Sequence, residues 1–325
     1  QTSVTDPNNR TTTYTYDTAA YTYVAKVTNA LSHMVDTTWD YRFGKSLIKT
    51  APYVQGDTAP YTSYTYDGFG RPVTVVRPGD TPSPATVSYA YEGFGTVGVQ
   101  RVTTFLKDGS PNGLWSETYF DGLGRTVAVR KESTSANPVV IHTVYNNIGT
   151  VSVQYLPCFA QNDATLACHG GTYVPFTAFA YDPIGRVLTS EFQGDPVART
   201  SYYYNKGTTT IANPLYRVKD EVKDIHGRLV TVHEYTGMYP NHTPYTTTQY
   251  AYDVLNNLIT VTDDPGNITT MAYSSLSRKV EMWDPDMGHW TYGYDLNGNL
   301  TSQTDAKGQT LTFDYDQVNR VLHKY

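Results

Sequence analysis

The chain has 325 residues, of which 39% are hydrophobic, 14% aromatic and 17% charged, and its formal net charge at pH 7 is −6. This acidic balance, without a basic tract, lacks the electrostatic footprint of a nucleic-acid-binding protein. No apolar run reaches the roughly eighteen residues that a membrane-spanning helix needs. We therefore expect neither a nucleic-acid partner nor a membrane span in this stretch.

A Tyr-Asp phrase recurs along the chain and becomes regular toward its C-terminal end. Complete or degenerate versions begin at twelve positions, and the last four follow one another at steps of 21 residues. Self-similarity at a fixed spacing indicates a repeat protein. The twelve starting residues are Tyr16, Trp39, Tyr66, Tyr91, Phe120, Tyr145, Tyr181, Lys223, Tyr252, Tyr273, Tyr294 and Tyr315.

Each phrase carries the chemistry of a tight hairpin turn. In Asp67-Gly68-Phe69-Gly70, the Asp carboxylate can accept a backbone N–H two residues on, and the fourth residue must adopt a positive φ. Glycine adopts that conformation without steric cost, and asparagine is the next most tolerant residue. The fourth slot is accordingly filled by Gly70, Gly124, Gly185, Gly227, Gly298, Asn256 and Asn319.

The segments between the turns alternate as half-buried strands do. Tyrosines come in pairs such as Tyr64 and Tyr66, whose side chains share one face of a strand. A second turn signal, such as Asp305 to Gly308, falls halfway between phrases, so each unit supplies two strands. About 24 strands spaced ~4.8 Å apart form a strip of ~115 Å. A barrel filled by its own side chains has only about eight strands, so this strip must be hollow, flattened or spiral.

Two segments, about 155–178 and about 193–220, interrupt the regular spacing. The first contains the only cysteines, Cys158 and Cys168. Two cysteines that bracket a short loop in an otherwise cysteine-free chain favour a local disulfide in an exported protein. Two free thiols are the alternative, whereas a metal site that adds His169 would lack a fourth ligand.

Three phrases, at Tyr66, Phe120 and Tyr181, combine the aromatic, the Asp, the turn glycine and a following arginine. In this Tyr-Asp-x-x-Gly-Arg pattern the chain resembles the Rhs/YD-repeat family over nearly its whole length. The family includes bacterial Rhs proteins, the Rhs-like components of insecticidal toxin complexes, and teneurins. The residues that define the repeat are Tyr66, Asp67, Gly70, Arg71, Phe120, Asp121, Gly124, Arg125, Tyr181, Asp182, Gly185, Arg186, Tyr252, Asp253, Tyr294, Asp295, Gly298, Tyr315 and Asp316.

The resemblance implies an all-β fold, in which a repetitive antiparallel β-hairpin meander forms a spiral strip of a hollow YD-repeat β-shell. Residues 1–325 would form a single array of about twelve units, the interior of a longer chain. In bacterial relatives the shell encloses a C-terminal toxin, and in teneurins it belongs to an adhesion ectodomain. The implied role is to enclose and protect a C-terminal toxin or other polypeptide cargo, in a secreted or cell-surface protein. Its partners would be the rest of its own polypeptide or neighbouring copies.

The sequence offers no assembled catalytic set. The Rhs shell usually ends in an Asp-Pro-x-Gly-Leu motif at which some members cleave themselves, but no Leu follows Gly288 in the phrase that begins at Asp284. Self-cleavage and its catalytic aspartates are therefore not expected. The motifs of P-loop proteins, zinc proteases and serine hydrolases are also missing. We expect no enzymatic activity and no cofactor.

Some residues allow more than one interpretation. The arginine after the turn, as in Arg71, can pair with the turn aspartate or stack on a tyrosine. The pairs Asp263 with Asp264 and Asp284 with Asp286 carry oxygens that suit Ca²⁺, although they coincide with turns. Exposed tyrosines can bind glycans or proteins, which makes an adhesion module the rival function. An open strip that pairs its end strands with another copy would instead be a filament subunit.

Overall fold

The computed structural model describes residues 1–109, 113–133, 137–160, 174–194 and 198–325. Within these ranges the fold is all-β, with 28 strands and no helix. All described strand pairs are antiparallel, as the alternating sequence predicts, and no helix of the described chain is long and apolar enough to cross a membrane. The all-β hairpin prediction is confirmed.

Two compact units divide the chain. The first comprises Gln1–Thr5 and Arg10–Ala178, and the second comprises Asp6–Asn9 and Phe179–Tyr325. Strand β15 (Phe176–Tyr181) contains the residue at which the chain passes from one unit to the other. That the 325 residues are a single array of about twelve units stays a prediction.

The first unit contains fourteen complete strands. They are β1 (Ser3–Thr5), β2 (Thr11–Tyr16), β3 (Val24–Thr28), β4 (Met34–Asp40), β5 (Lys45–Thr50), β6 (Tyr61–Tyr66), β7 (Pro72–Val76), β8 (Val87–Glu92), β9 (Arg101–Leu106), β10 (Leu114–Phe120), β11 (Thr126–Lys131), β12 (Val139–Tyr145), β13 (Val151–Tyr155) and β14 (Cys158–Phe159).

The second unit contains thirteen complete strands in the described residues. They are β16 (Val187–Gln193), β17 (Ala198–Asn205), β18 (Thr208–Ala212), β19 (Val218–Lys223), β20 (Leu229–Met238), β21 (Asn241–Tyr252), β22 (Leu258–Thr262), β23 (Ile268–Tyr273), β24 (Lys279–Asp284), β25 (Gly288–Tyr294), β26 (Leu300–Thr304), β27 (Thr310–Tyr315) and β28 (Val321–Lys324).

The strands form a meander in which each strand pairs with its neighbours in sequence. Among the described pairings the exceptions are β12, which pairs with both β13 and β14, and β13, which pairs with β15. The aromatic of the repeat phrase lies at a bulge, where the register shifts by one residue. Tyr66 faces Pro72 across such a bulge, and Tyr294 faces Leu300 in the same way. A type I turn alone would splay the two flanking strands apart, and a bulge of this kind restores their twist.

The predicted turn conformation is confirmed. All seven residues named for the fourth slot have a positive φ, between 64° at Asn319 and 92° at Gly298. The turn hydrogen bond from the N–H of Gly70 to the carbonyl of Asp67 is 3.0 Å long. Ser277 takes the same slot with a φ of 57°, so a small polar residue can replace glycine there.

Most of the irregular segment at about 193–220 forms hairpins. Strand β17 pairs with β18, and β18 pairs with β19. The turn between β18 and β19 runs from Asn213 to Arg217 and has the same two backbone hydrogen bonds as the repeat turns. The repeat spacing is long here because an extra hairpin lies between two recognisable phrases.

Little of the sheet is fully buried. In the described residues the buried hydrophobic side chains are Tyr119, Ala128, Val140, Ala160, Ala212, Val218 and Met282. Each hairpin therefore gains limited hydrophobic stabilisation on its own. Interactions between successive hairpins must supply much of the remainder, as in other repeat proteins.

Candidate functional site

Each complete repeat turn is held by one aspartate. One Asp67 carboxylate oxygen accepts the backbone N–H groups of Phe69 and Arg71, both at 2.9 Å. The other oxygen accepts the Nε–H of Arg71 at 2.7 Å. Both oxygens are thus engaged, and the arginine side chain is fixed over the turn. We call this Asp–Arg arrangement the clamp.

The clamp recurs with nearly constant dimensions in both units. The distance from the Asp Oδ2 to the Arg Nε is 2.6–2.7 Å at every complete copy. The five pairs are Asp67 with Arg71, Asp121 with Arg125, Asp182 with Arg186, Asp224 with Arg228, and Asp316 with Arg320. Asp253 and Asp295 use an asparagine four residues on instead of an arginine, at 2.8 Å in each case.

The clamp lowers the pKa of its carboxylates. Backbone N–H donation from Arg125 lowers the pKa of Asp121, partial burial opposes the shift, and the Arg125 side chain adds to it. At Asp67, Asp182 and Asp224 burial is the strongest single influence and raises the pKa. The backbone and arginine hydrogen bonds together outweigh it, so the net shift is again downward.

The clamped arginine also contacts the tyrosine of the next hairpin. The Arg71 guanidinium lies 4.1 Å from the centre of the Tyr91 ring. The hydroxyl of the same tyrosine donates to the carbonyl of Pro72 at 2.9 Å. A cation–π contact and a hydrogen bond therefore join Tyr91 to two consecutive residues of the preceding hairpin. We call this tyrosine contact the latch.

The complete latch occurs five times. Each tyrosine stacks on an arginine, at 4.1–5.3 Å, and donates its hydroxyl to the carbonyl of the residue after that arginine, at 2.8–3.0 Å. The five tyrosines are Tyr91, Tyr145, Tyr204, Tyr252 and Tyr294. Tyr66 and Tyr315 make the same hydrogen bond, to Ser46 and Leu300, both at 2.8 Å.

The repeat turn at Ser274 lacks the aspartate but keeps the arginine. Ser274 occupies the aspartate position, and its hydroxyl accepts the N–H groups of Leu276 and Arg278 at 3.3 Å, longer than in the complete turns. Arg278 still contacts Tyr294 and donates to the carbonyl of Asp295 at 2.9 Å. Its Nε is buried without a hydrogen-bond partner in the described part of the chain.

A contact within the second unit was not predicted from the sequence. The Asn8 side chain donates to Asp295 at 3.1 Å, and the Asn297 side chain donates to Asp6 at 2.6 Å. The turn at Asp6–Asn9 thus packs against the turn that begins at Asp295. In the sequence, each of these two segments indicates only an ordinary turn. Their contact follows from the tertiary fold and could not be predicted from either segment alone.

Other residues singled out from the sequence do not form a complete latch in the described residues. Phe120 lacks a hydroxyl and instead contacts Phe94, with ring centres 6.4 Å apart. Tyr181 packs beside Phe179 at 6.5 Å. Cys158 lies in β14, whereas Cys168 lies outside the described residues, so their disulfide stays a prediction.

One aspartate of each pair considered for Ca²⁺ is engaged in its turn. Asp263 accepts two hydrogen bonds from Asn267, and Asp284 accepts hydrogen bonds from Asp286, Met287 and Thr269. Within the described ranges, no group of three or more His, Cys, Asp or Glu residues is arranged to hold a metal ion. Chemically, the repeated clamp and latch can fasten hairpins together.

Two family descriptions match the chain. Residues 98–267 match the family described as a domain of unknown function (DUF6443), and residues 294–324 match the RHS Repeat. No curated protein sequence matches the chain.

Several solved structures share the fold. The crystal structure of TcdB2–TccC3 aligns with a TM-score of 0.78 at 17% identity, over 99% of this chain and 19% of that chain. That of TcdB2–TccC3–TEV gives 0.76 at 14% identity, over 99% and 21%. The Tc holotoxin pore of Photorhabdus luminescens with a TccC3 variant gives 0.73 at 15% identity, over 99% and 21%. This chain therefore spans about a fifth of the length of the structures it matches.

Proposed function

Because this chain belongs to the Rhs/YD-repeat family, and its central part to the DUF6443 family, we propose that it forms part of a β-shell that encloses a polypeptide cargo. The cargo is a C-terminal toxin or another segment of the same polypeptide. The shell protects it by excluding proteases and solvent. Its role is structural and not enzymatic.

The observation that carries this proposal is the recurring latch. A wall must resist separation of adjacent hairpins, and in this chain the tyrosine of one hairpin is fastened to the hairpin before it. Each latch adds a hydrogen bond and an arginine contact to the ordinary strand pairing. Because each interior strand of the meander pairs on both sides, few strand edges are free along it, which limits unwanted pairing with other chains.

Structures with the same fold include TcdB2–TccC3–TEV, TcdB2–TccC3–Cdc42 and TcdB2–TccC3 without its hypervariable C-terminal region. By analogy, we infer that the cargo here is covalently continuous with the shell polypeptide. We further infer a secreted or cell-surface location, which suits the Tyr- and Thr-rich composition and the predicted disulfide.

The test uses the protein purified from its natural source. Its denatured mass is measured first, and the native protein is then treated with protease. We expect a mass well above 36.2 kDa. We also expect a segment outside these 325 residues to survive digestion in the native protein and to be degraded after denaturation.

A latch variant provides the control. Arg186→Ala in the full-length protein removes a clamp and a latch, and it should make the protected segment digestible at a lower protease concentration. Arg42→Ala removes an ion pair with Asp40 and a contact with Phe43 but no latch, so it should affect protection less than Arg186→Ala. A native mass that matches this chain alone, or equal digestion of every segment in the native protein, would refute enclosure.

A further inference from the structure

The second unit contains a cavity of about 460 Å³ beside the irregular hairpins. Its lining includes Glu191 on β16, Arg199 and Tyr203 on β17, Tyr216 in the turn after β18, and Tyr239 at the tip of the β20–β21 hairpin. This volume lies within the range of small-ligand sites, which is roughly 300–1,000 Å³. Neither clamps nor latches use these five residues.

The long β20–β21 hairpin builds one wall of the cavity. Its strands have 10 and 12 residues and are the longest in the described chain. At the tip, the N–H of Tyr239 donates to the carbonyl of Tyr216 at 3.0 Å. The Tyr239 ring stacks on the Tyr203 ring, with centres 5.2 Å apart and planes 14° from parallel. Three tyrosines from three separate elements therefore line one cavity.

Tyr216 occupies a turn slot that a bulky residue rarely takes. Its φ is 57°, and the equivalent slots in the repeat turns hold glycine, asparagine or serine. A bulky side chain in this conformation is an outlier that costs stability. The residue is nevertheless 60% exposed, so hydrophobic burial does not offset the cost. Because Tyr21 adopts a similar φ, the conformation alone does not indicate a ligand, and what distinguishes Tyr216 is its place in the cavity lining beside Tyr203 and Tyr239.

The polar lining of the cavity comprises Ser201, Asn213 and an ion pair between Glu191 and Arg199, which carries no net charge. The Arg199 Nε donates to the Glu191 carboxylate, and this hydrogen bond raises the pKa of Arg199. The pair offers both donors and acceptors without a net charge. It therefore disfavours a purely apolar ligand, which would strip water from two ions, and gives no net attraction to an anion or a cation.

We propose that this cavity binds a neutral hexopyranose unit of a glycan. A sugar ring has an apolar C–H face, which suits the exposed tyrosine rings, and a rim of hydroxyls that can both donate to Glu191 and accept from Arg199. Aromatic surfaces beside a few convergent polar groups are the usual composition of such sites. This binding is separate from enclosure, so either proposal can fail without the other.

The test exploits the unusual conformation of Tyr216. Glycine is the residue that the turn itself prefers, so Tyr216→Gly should leave the thermal midpoint unchanged or raise it while removing one wall of the site. Tyr21 is a matched control, because it is also a tyrosine with a positive φ, 52°, and is 77% exposed, but it lies in the first unit. Tyr21→Gly should have the same effect on stability and none on binding.

The probes are methyl glycosides of glucose, galactose, mannose and N-acetylglucosamine, measured on the whole chain by saturation-transfer NMR and calorimetry. At least one glycoside should bind saturably, and Tyr216→Gly should weaken it at least tenfold. Tyr203→Ala should also weaken it, whereas Tyr21→Gly should bind like the unmodified chain. The proposal is overturned if no glycoside binds saturably or if Tyr216→Gly binds as well as the unmodified chain.

Discussion

The incomplete turn at Ser274 isolates what a single carboxylate contributes to the clamp. The Arg278 Nε has no partner in the described residues, although the equivalent atom at Arg71 is 2.7 Å from an aspartate. Ser274→Asp should restore that contact and raise the free energy of unfolding by roughly 0.5–1 kcal/mol, the upper part of the range for partly exposed ion pairs. Urea unfolding of both proteins measures the difference.

Ser274→Asn is the matched control for that change. It supplies the turn acceptor without the charge, so it should recover less stability than aspartate. Equal stability of the two variants, or a loss of stability in Ser274→Asp, would show that the arginine does not pair with a carboxylate at this position.

The repeated aspartates also make the stability of the chain depend on pH. Their pKa values are lowered in the folded state, as at Asp121 and Asp316, so the folded chain binds fewer protons than the unfolded chain. Their contribution to stability is complete above 3.8, the ordinary pKa of an aspartate carboxyl. It is lost as the pH falls toward the lower pKa of the folded state. We expect a steady thermal midpoint between pH 7 and about pH 5 and a steep decline below about pH 4.

Calorimetric melting of the unmodified chain and of Asp121→Asn checks this dependence. The variant should melt earlier at pH 7 and show a shallower decline in acid, since it has one fewer carboxylate to protonate. A midpoint that stays constant down to pH 2.5 would contradict the expected linkage.

At the level of the hairpin, the tyrosine hydroxyl is the part of the latch that can be removed alone. Tyr145→Phe keeps the ring, which lies 4.4 Å from the Arg125 guanidinium, but loses the hydrogen bond to the Thr126 carbonyl. We expect a loss of about 1 kcal/mol in the free energy of unfolding, a typical value for one hydrogen bond. Tyr61→Phe, at a tyrosine that is 54% exposed, should change stability by much less. Similar losses in both variants would argue against the latch.

The turns could be predicted from the sequence because their requirements are local. A positive φ at Gly70 or Asn319 follows from four consecutive residues. The clamp was one of two alternatives for the arginine, and the structure shows that Arg71 adopts both at once, pairing with Asp67 and stacking on Tyr91. Which carbonyl receives the tyrosine hydroxyl depends on the register of the neighbouring hairpin, which the spacing of the phrases does not fix.

The turn between β18 and β19 shows where pattern recognition fails. Asparagine replaces the aspartate and Tyr216 replaces the glycine, so the phrase loses both defining residues. Two weaker signals survive, namely Pro214 at the second turn position and Arg217 after the turn. They identify the turn only once its backbone hydrogen bonds are known.

At the scale of the whole molecule, the chain is organised by contacts between neighbours. Strands pair with strands close in sequence, and each latch joins one hairpin to the hairpin before it. The stability of such a protein is approximately a sum of unit and nearest-neighbour terms. The two turns that meet at Asn8 and Asp295 are an exception, since they join distant parts of the sequence within the second unit.

This organisation predicts that damage to a latch stays local. Arg125→Ala should accelerate amide hydrogen exchange in β10 to β13 and leave β22 to β28 unchanged, because Arg125 contacts only its own turn and the adjacent hairpin. Arg228→Ala provides the reciprocal comparison: it should accelerate exchange in β19 to β22 and leave exchange in β2 to β11 unchanged. Exchange measured by mass spectrometry on both variants resolves these segments. If either variant accelerated exchange throughout both units, the chain would unfold as one cooperative body, and the nearest-neighbour description of its stability would be wrong.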